Sequence, residues 1–205
     1  QACVREHLAA DGSFFVNIQA HAEDGQRHLY VFDLVVAHAR RWSWLFKDDL
    51  VWFKRSMPGE WPDRFRNDWE PVFHFTPSKV IKFRPMNVVH ESDACRSYAP
   101  NEGRTFGGNI GIGDIGHVSG LARPGNVIEI STRENPDGNA HSAAFPPRLP
   151  EFFVKAFSDA GDVVVDPFLG SGSTLIAAAK TGRVARGFEI SPRYCDVIRR
   201  RWTKF

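Results

Sequence analysis

Residues 162–190, DVVVDPFLGSGSTLIAAAKTGRVARGFEI, decide the fold. The β-branched run 162–166 (DVVVD) predicts a buried strand that stops at Asp166-Pro167. Gly170 and Gly172 follow, and they let a backbone loop approach a ligand closely. From Ser173 to Lys180 the alanine-rich sequence predicts a helix whose first amides face the loop, with Thr174 in its first turn. Gly182 caps that helix, and residues 184–190 predict a second strand with Glu189 near its end. Strand, loop, helix and strand in this order form a βαβ unit with a parallel strand pair. A carboxylate about twenty residues beyond such a loop can accept both hydroxyls of a ribose, so the loop and Glu189 together point to an adenosine-containing ligand. A phosphate-gripping loop is disfavoured, because no Gly-Lys-Ser/Thr ending is present. The glycines also miss the G-x-G-x-x-G spacing of a dinucleotide fingerprint.

Working outward, Pro146 and Pro147 can open a helix with Leu149, Phe152, Phe153, Ala156 and Phe157 on one face. After Pro192 a basic helix closes the chain. Its Arg199, Arg200, Arg201 and Lys204 suit the C-terminal end of a helix dipole, which is sufficient reason for them. At the other end, residues 1–12 read as the end of a helix that stops at Asp11-Gly12. Strands are predicted at 13–18 (SFFVNI), 49–54 (DLVWFK) and 72–76 (VFHFT), and a helix at 29–44. The stretch 55–71 holds three prolines and reads as a surface loop. Residues 103–125 contain eight glycines, which argues against a regular element there; a short strand at 127–131 ends this excursion.

The chain has 205 residues, 42% of them hydrophobic, which excludes disorder and a fibre and suits one core or at most two. With 26 Lys and Arg against 24 Asp and Glu, the net charge is +2, so a polyanionic partner has to be met by a local patch. Cys3, Cys95 and Cys195 fit neither a disulfide framework nor a zinc site, and no metal site is expected. No apolar run approaches the ~18 residues of a membrane helix and no signal segment is visible, so the reading is a soluble, cytoplasmic protein with no membrane partner. The chain begins at Gln1 with no methionine before Met57, which implies a processed start or an absent part.

DPFLGSGST (166–174), preceded by AFPPRLPEFF and followed by GFEISPRY, resembles the S-adenosylmethionine-binding half of DNA amino-methyltransferases. More narrowly, it is similar to the permuted group whose cofactor motif lies near the C-terminus. The likeness is dense over 139–202 and extends to SFFVNI, DLVWFK and RFRNDWEPVFHFT. It implies an α/β fold with a Rossmann-like, circularly permuted sheet, divided into catalytic-half elements (1–76), a target-recognition segment (77–138) and a cofactor-binding half (139–205). It also implies that Asp166, Phe168, Gly170, Ser171 and Gly172 border S-adenosylmethionine, with Glu189 on its ribose. Asn139, His141, Ser142, Phe145 and Pro146 match the element that flanks the methionine end.

What the resemblance implies chemically is methyl transfer to an exocyclic amine of duplex DNA, by base flipping and direct transfer without a covalent intermediate. The segment HSAAFPPRLPEFFVKAF (141–157) is most similar to N4-cytosine enzymes of restriction-modification systems, and N6-adenine stays open as the target. The family tetrapeptide (Asp, Ser or Asn, then Pro-Pro-aromatic) that holds the amine is not in the sequence. Pro146-Pro147 is preceded by Phe145 and followed by Arg148. The expectation is that the tetrapeptide, with two core strands, lies upstream of Gln1; an inactive remnant that only binds DNA or cofactor is the alternative. A methyltransferase for RNA or a small molecule is a further rival.

Trp69 is the aromatic candidate for the base pocket, and Lys54, Arg55, Arg64, Arg66 and Arg104 are the candidates for DNA contacts, with Lys79, Lys82, Arg84, Arg96 and Arg123 as further cations. Trp52 and Phe53 read better as core. A restriction endonuclease as system partner and a homodimer are left open.

Overall fold

The structure is a computed structural model that describes residues 2–55, 59, 62–91, 121–132 and 145–205. In chain order its elements are α1 (Ala2–His7), β1 (Phe14–Asn17), β2 (Ala22–Glu23), β3 (Gln26–Arg27), α2 (Tyr30–Arg41), β4 (Leu45–Phe53) and β5 (Trp69–Thr76). A 3₁₀ turn (Pro85–Val88), β6 (His90–Glu91), β7 (Leu121–Ala122) and β8 (Val127–Glu129) follow. The last part comprises α3 (Arg148–Phe157), β9 (Val163–Asp166), α4 (Ser173–Lys180), β10 (Val184–Gly187) and α5 (Pro192–Lys204).

A four-stranded sheet runs in the order β1-β5-β4-β8. β1 and β4 flank β5 antiparallel, and β8 joins β4 parallel with Trp52 opposite Ile128. One face of this sheet buries Leu50, Trp52, Val72, Ile128 and Ile130 against Leu149 and Phe153 of α3, and the indole Nε1 of Trp52 donates to the Ile130 carbonyl at 2.9 Å. The opposite side packs Val31 of α2 with Trp44, Phe73 and Phe75. Each such apolar side chain contributes about 1.5–3 kcal/mol when fully buried. Trp52 is therefore core.

Residues 162–190 form the expected unit: β9 and β10 pair parallel, Val163 with Val184 through Asp166 with Gly187. Ile176, Ala177 and Ala178 of α4 are buried, while Val163 and Val165 on β9 are each 60% exposed. Parallel pairs are ordinarily covered on both faces. Among the described residues the face that carries these valines is open, and among them neither β1 nor β9 has a strand on its outer edge.

α3 joins the two parts. The Phe15 ring of β1 packs, tilted, with its centroid 4.5 Å from that of Phe153 and 5.0 Å from that of Phe157, and α3 also packs on α4. A strap through residues 78–88 reinforces the joint. Lys82 Nζ sits 2.7 Å from Asp162, Arg84 pairs with Asp159 at 3.0 Å, and the Arg84 amide donates to the Ala156 carbonyl at 2.7 Å. Lys82 and Arg84, candidate DNA cations by sequence, are thus engaged as ties to the βαβ unit.

Several boundaries differ from the sequence reading: β4 starts at Leu45 rather than residue 49, and α2 ends at Arg41 rather than residue 44. β5 starts at Trp69 rather than residue 72, so Trp69, Glu70 and Pro71 belong to a strand. β10 ends at Gly187, which leaves Glu189 just beyond the strand instead of within it. A hairpin, β2–β3, occupies part of the stretch between the first strand and α2, turning at Asp24-Gly25, both with positive φ (49° and 74°). No helix among the described residues is long and apolar enough to cross a membrane.

Candidate cofactor site

The site is built where β9 hands over to α4. Asp166 closes the loop on itself: Oδ1 accepts the Phe168 amide at 2.9 Å and Oδ2 accepts the Thr174 hydroxyl at 2.6 Å. Gly170 and Gly172 have φ of 54° and 85°, values that residues with a Cβ rarely adopt. A Cβ on Gly172 would also lie 3.1 Å from Ile198 of α5, so the loop is pressed against the closing helix. Gly187, at the end of β10, is tighter still, with Leu169 only 2.7 Å from where a Cβ would stand.

Glu189, two residues beyond the end of the neighbouring strand, is drawn to this loop. Its Oε2 accepts the Gly170 amide at 2.7 Å and its Oε1 accepts the Ser191 amide at 2.8 Å. An ionised carboxylate has about four lone-pair sites, so two stay open for hydroxyl donors. Beside it, Phe168 is 85% exposed and Ile190 99% exposed. A carboxylate with spare acceptor capacity between two exposed apolar side chains suits a ribose and a flat base. The residues therefore fit an adenosyl group.

Phe145 and Pro146 stand next to the loop, since the Ser173 hydroxyl donates to the Phe145 carbonyl at 2.7 Å and Pro146 is fully buried. Ser171 is buried and held from below by α5. Asn139, His141, Ser142 and Arg104 lie outside the described residues. Among those described, no group of three or more His, Cys, Asp and Glu side chains is placed to hold a metal.

The basic and aromatic candidates fall around the end of β4 and the start of β5. Trp69 opens β5 opposite Phe53 and is 49% exposed. Lys54 is buried and forms an ion pair with Glu70, while Arg55 pairs with Glu129 at 2.5 Å. Arg64 and Arg66 flank Phe65, which is 96% exposed. The hairpin leans on this loop through Arg27, whose guanidinium bonds the Asn67 side chain.

Sequence reasoning missed Arg201. The dipole explanation given for the whole basic tail does not hold for it: Arg201 is buried, and its Nη1 donates to the Ser171 carbonyl at 2.7 Å and to the Ser171 hydroxyl at 2.8 Å. A signal was present, because Tyr194, Val197, Ile198 and Arg201 share one helical stripe, and a cation at the end of an apolar stripe asks for a buried acceptor.

The chain is similar to known proteins over most of its length. The chain is 28% identical over 222 residues to the type II methyltransferase M.PvuII of Proteus hauseri, covering 93% of this chain and 65% of that protein. It is 29% identical over 153 residues to M.XycI of Xanthomonas campestris pv. cyanopsidis, covering 74% and 42%. Among solved structures, the PvuII DNA methyltransferase, titled cytosine-N4-specific, superposes with a TM-score of 0.74 at 25% identity over 97% of this chain and 66% of that one. A putative DNA modification methylase from Thermus thermophilus, solved in complex with S-adenosyl-L-methionine, gives a TM-score of 0.62 at 26% identity, over 99% and 73%. The chain thus spans less than two thirds of the length of the curated relatives just named. A family model described as DNA methylase (N6_N4_Mtase) matches residues 2–200, and the chain belongs to that family, with its α/β methyltransferase fold.

Proposed function

We propose that these residues form the cofactor-binding and DNA-facing parts of an S-adenosylmethionine-dependent DNA methyltransferase that modifies an exocyclic amine in duplex DNA, with N4 of cytosine as the target. The observation that carries the reading is the Glu189 carboxylate, fixed on the Gly170 and Ser191 amides with acceptor capacity to spare. When bound, S-adenosylmethionine supplies an electrophilic methyl group on a cationic sulfur. Glu189 takes the ribose hydroxyls, Phe168 and Ile190 flank the adenine, and Phe145 and Pro146, with His141 and Ser142, border the amino-acid end. The preference for cytosine rests on the likeness to a protein whose structure is titled cytosine-N4-specific.

The same reading assigns the DNA side. Trp69 stacks on the extruded base, and Arg55, Arg64, Arg66 and Arg104 meet phosphates. Lys54 acts there by holding Glu70, since a phosphate would have to displace that carboxylate. Residues 77–138 supply target recognition, and their first part, 78–88, is strapped to the core.

An exocyclic amine is a poor nucleophile because its lone pair is delocalised into the ring, so the enzyme must hold the amino hydrogens with acceptors. The tetrapeptide that does this is not in the 205 residues. We place it on a segment preceding Gln1, which enters beside β9 and β1. The open edges of those strands and the exposed Val163 and Val165 support that placement. A DNA substrate fits a cytoplasmic enzyme, and the likeness to type II methyltransferases fits a restriction-modification setting.

The test is transfer of tritiated methyl to unmethylated duplex by the protein with its upstream segment, followed by nucleoside analysis. N4-methylcytosine is the expected product. N6-methyladenine would overturn the cytosine assignment, no transfer would favour a binding remnant, and preference for structured RNA over duplex competitor would overturn the DNA assignment.

A further inference from the structure

α5 runs beneath the glycine loop, and Arg201, 5% exposed, lies on its inner face. The guanidinium reaches Ser171, the residue between the two left-handed glycines, at both its carbonyl and its hydroxyl. The same nitrogen is 3.3 Å from the Ser173 hydroxyl, which donates in turn to the Phe145 carbonyl. One cation therefore touches the loop that closes on Glu189 and, through Ser173, the segment at Phe145-Pro146. Gly170 and Gly172 have little intrinsic preference for their φ values, so something outside the loop must fix the peptide between them. A charged donor on a carbonyl makes a stronger tie than a neutral one, and the planar guanidinium can hold several acceptors at set angles.

We infer that Arg201 is a positioning residue for the cofactor site, which keys the glycine loop and the Phe145-Pro146 segment to each other so that the adenosyl and methionine ends of the ligand meet a preset spacing. The inference rests on the cofactor reading of this loop. Arg201 acts through Ser171 and Ser173 and need not touch the ligand. A Ser173→Ala change breaks the link through Ser173 to Phe145 and leaves Arg201 on Ser171, while Arg201→Met releases Ser171 and takes the guanidinium away from Ser173.

The experiment is calorimetric titration of the protein with its upstream segment, and of its variants, with S-adenosylhomocysteine and, separately, with adenosine, which lacks the amino-acid end. Thermal melts check folding. Ser173→Ala is expected to weaken S-adenosylhomocysteine binding about fivefold, the worth of one hydrogen bond, and to leave adenosine binding within about twofold of the parent. Arg201→Met is expected to weaken both ligands about tenfold or more, with Arg201→Lys in between. Variants that melt lower but bind both ligands as the parent does would overturn the inference, because a purely structural arginine behaves that way. If Arg201→Met does not fold, the split between the two ligands in Ser173→Ala decides: a split supports the inference, equal binding overturns it. A parent chain that binds neither ligand would overturn the cofactor reading itself, a result no comparison among variants can mimic.

Discussion

Glu189 and Gly170 are joined across the βαβ unit by a hydrogen bond of 2.7 Å, from the Gly170 amide to the carboxylate beyond the neighbouring strand. The second oxygen is occupied by the Ser191 amide at 2.8 Å, so the acid is oriented by main chain on both sides before any ligand arrives. An amide side chain cannot do the same: Glu189→Gln must turn its NH₂ toward one of two N–H groups. We expect Glu189→Gln to lose at least about tenfold in S-adenosylhomocysteine affinity by calorimetry, more than loss of charge alone would cause, and Glu189→Ala to abolish detectable binding.

Gly172 is held at φ 85° with Ile198 3.1 Å from its would-be Cβ. Gly172→Ala should lower stability by about 1–3 kcal/mol in urea denaturation, the sum of backbone strain and crowding. Adding Ile198→Ala removes the crowding but not the strain. The double variant should therefore show positive coupling at this contact without recovering the parent's stability.

His74 is buried between Phe15, stacked at 4.4 Å, and Phe157, edge-on at 4.8 Å, and its Nε2 pairs with the Ser13 hydroxyl at 2.9 Å. Burial first, and the charge of Lys47 second, push its pKa down from 6.5 to about 4. The unfolded chain takes up this proton near the ordinary value and the folded chain only near the lower one. Stability from the neutral ring is thus complete above about pH 6.5 and falls as the pH drops to about 4, by roughly 3 kcal/mol. The difference between the parent and His74→Phe, measured by denaturation from pH 8 to 4, should narrow or reverse in this window. That difference isolates His74 from His38, whose pKa burial also lowers.

Lys54 and Arg66 should part company in DNA binding. Lys54→Met leaves Glu70 unpartnered in a half-closed site and should cost about 1–3 kcal/mol of stability with little change in the salt dependence of DNA affinity. Arg66→Ala should reduce the slope of log affinity against log salt by about one. Equal slopes for both variants and the parent would remove Arg66 from the DNA surface.

The βαβ unit was legible because its signals are local: a valine run, two glycines, alanines and a capping Gly182 follow in the order in which the backbone uses them. The three prolines and mixed charges of 55–71 place Trp69 in a loop on sequence, whereas β5 takes in both Trp69 and Pro71. Pro71 is tolerated because the β1 ladder ends at the pairing of Asn17 with Val72, and Val51, opposite Pro71, donates its amide to Asn126 on its other side. No amide is required at that place. The hairpin turn is carried by Asp24-Gly25, a dipeptide suited to two positive φ values, but its strands are two residues each and leave no periodic trace. Arg201 and the Lys82–Asp162 pair depend on residues 30 and 80 positions apart, which no local pattern encodes.

The most direct test is a crystal structure of the protein, with its upstream segment, grown with S-adenosylhomocysteine. The account predicts the adenosyl group against the turn at 166–172, both ribose hydroxyls within hydrogen-bonding distance of Glu189, and the base between Phe168 and Ile190. Crystals that stay empty at saturating ligand, or a nucleoside bound with its sugar away from Glu189, would contradict it.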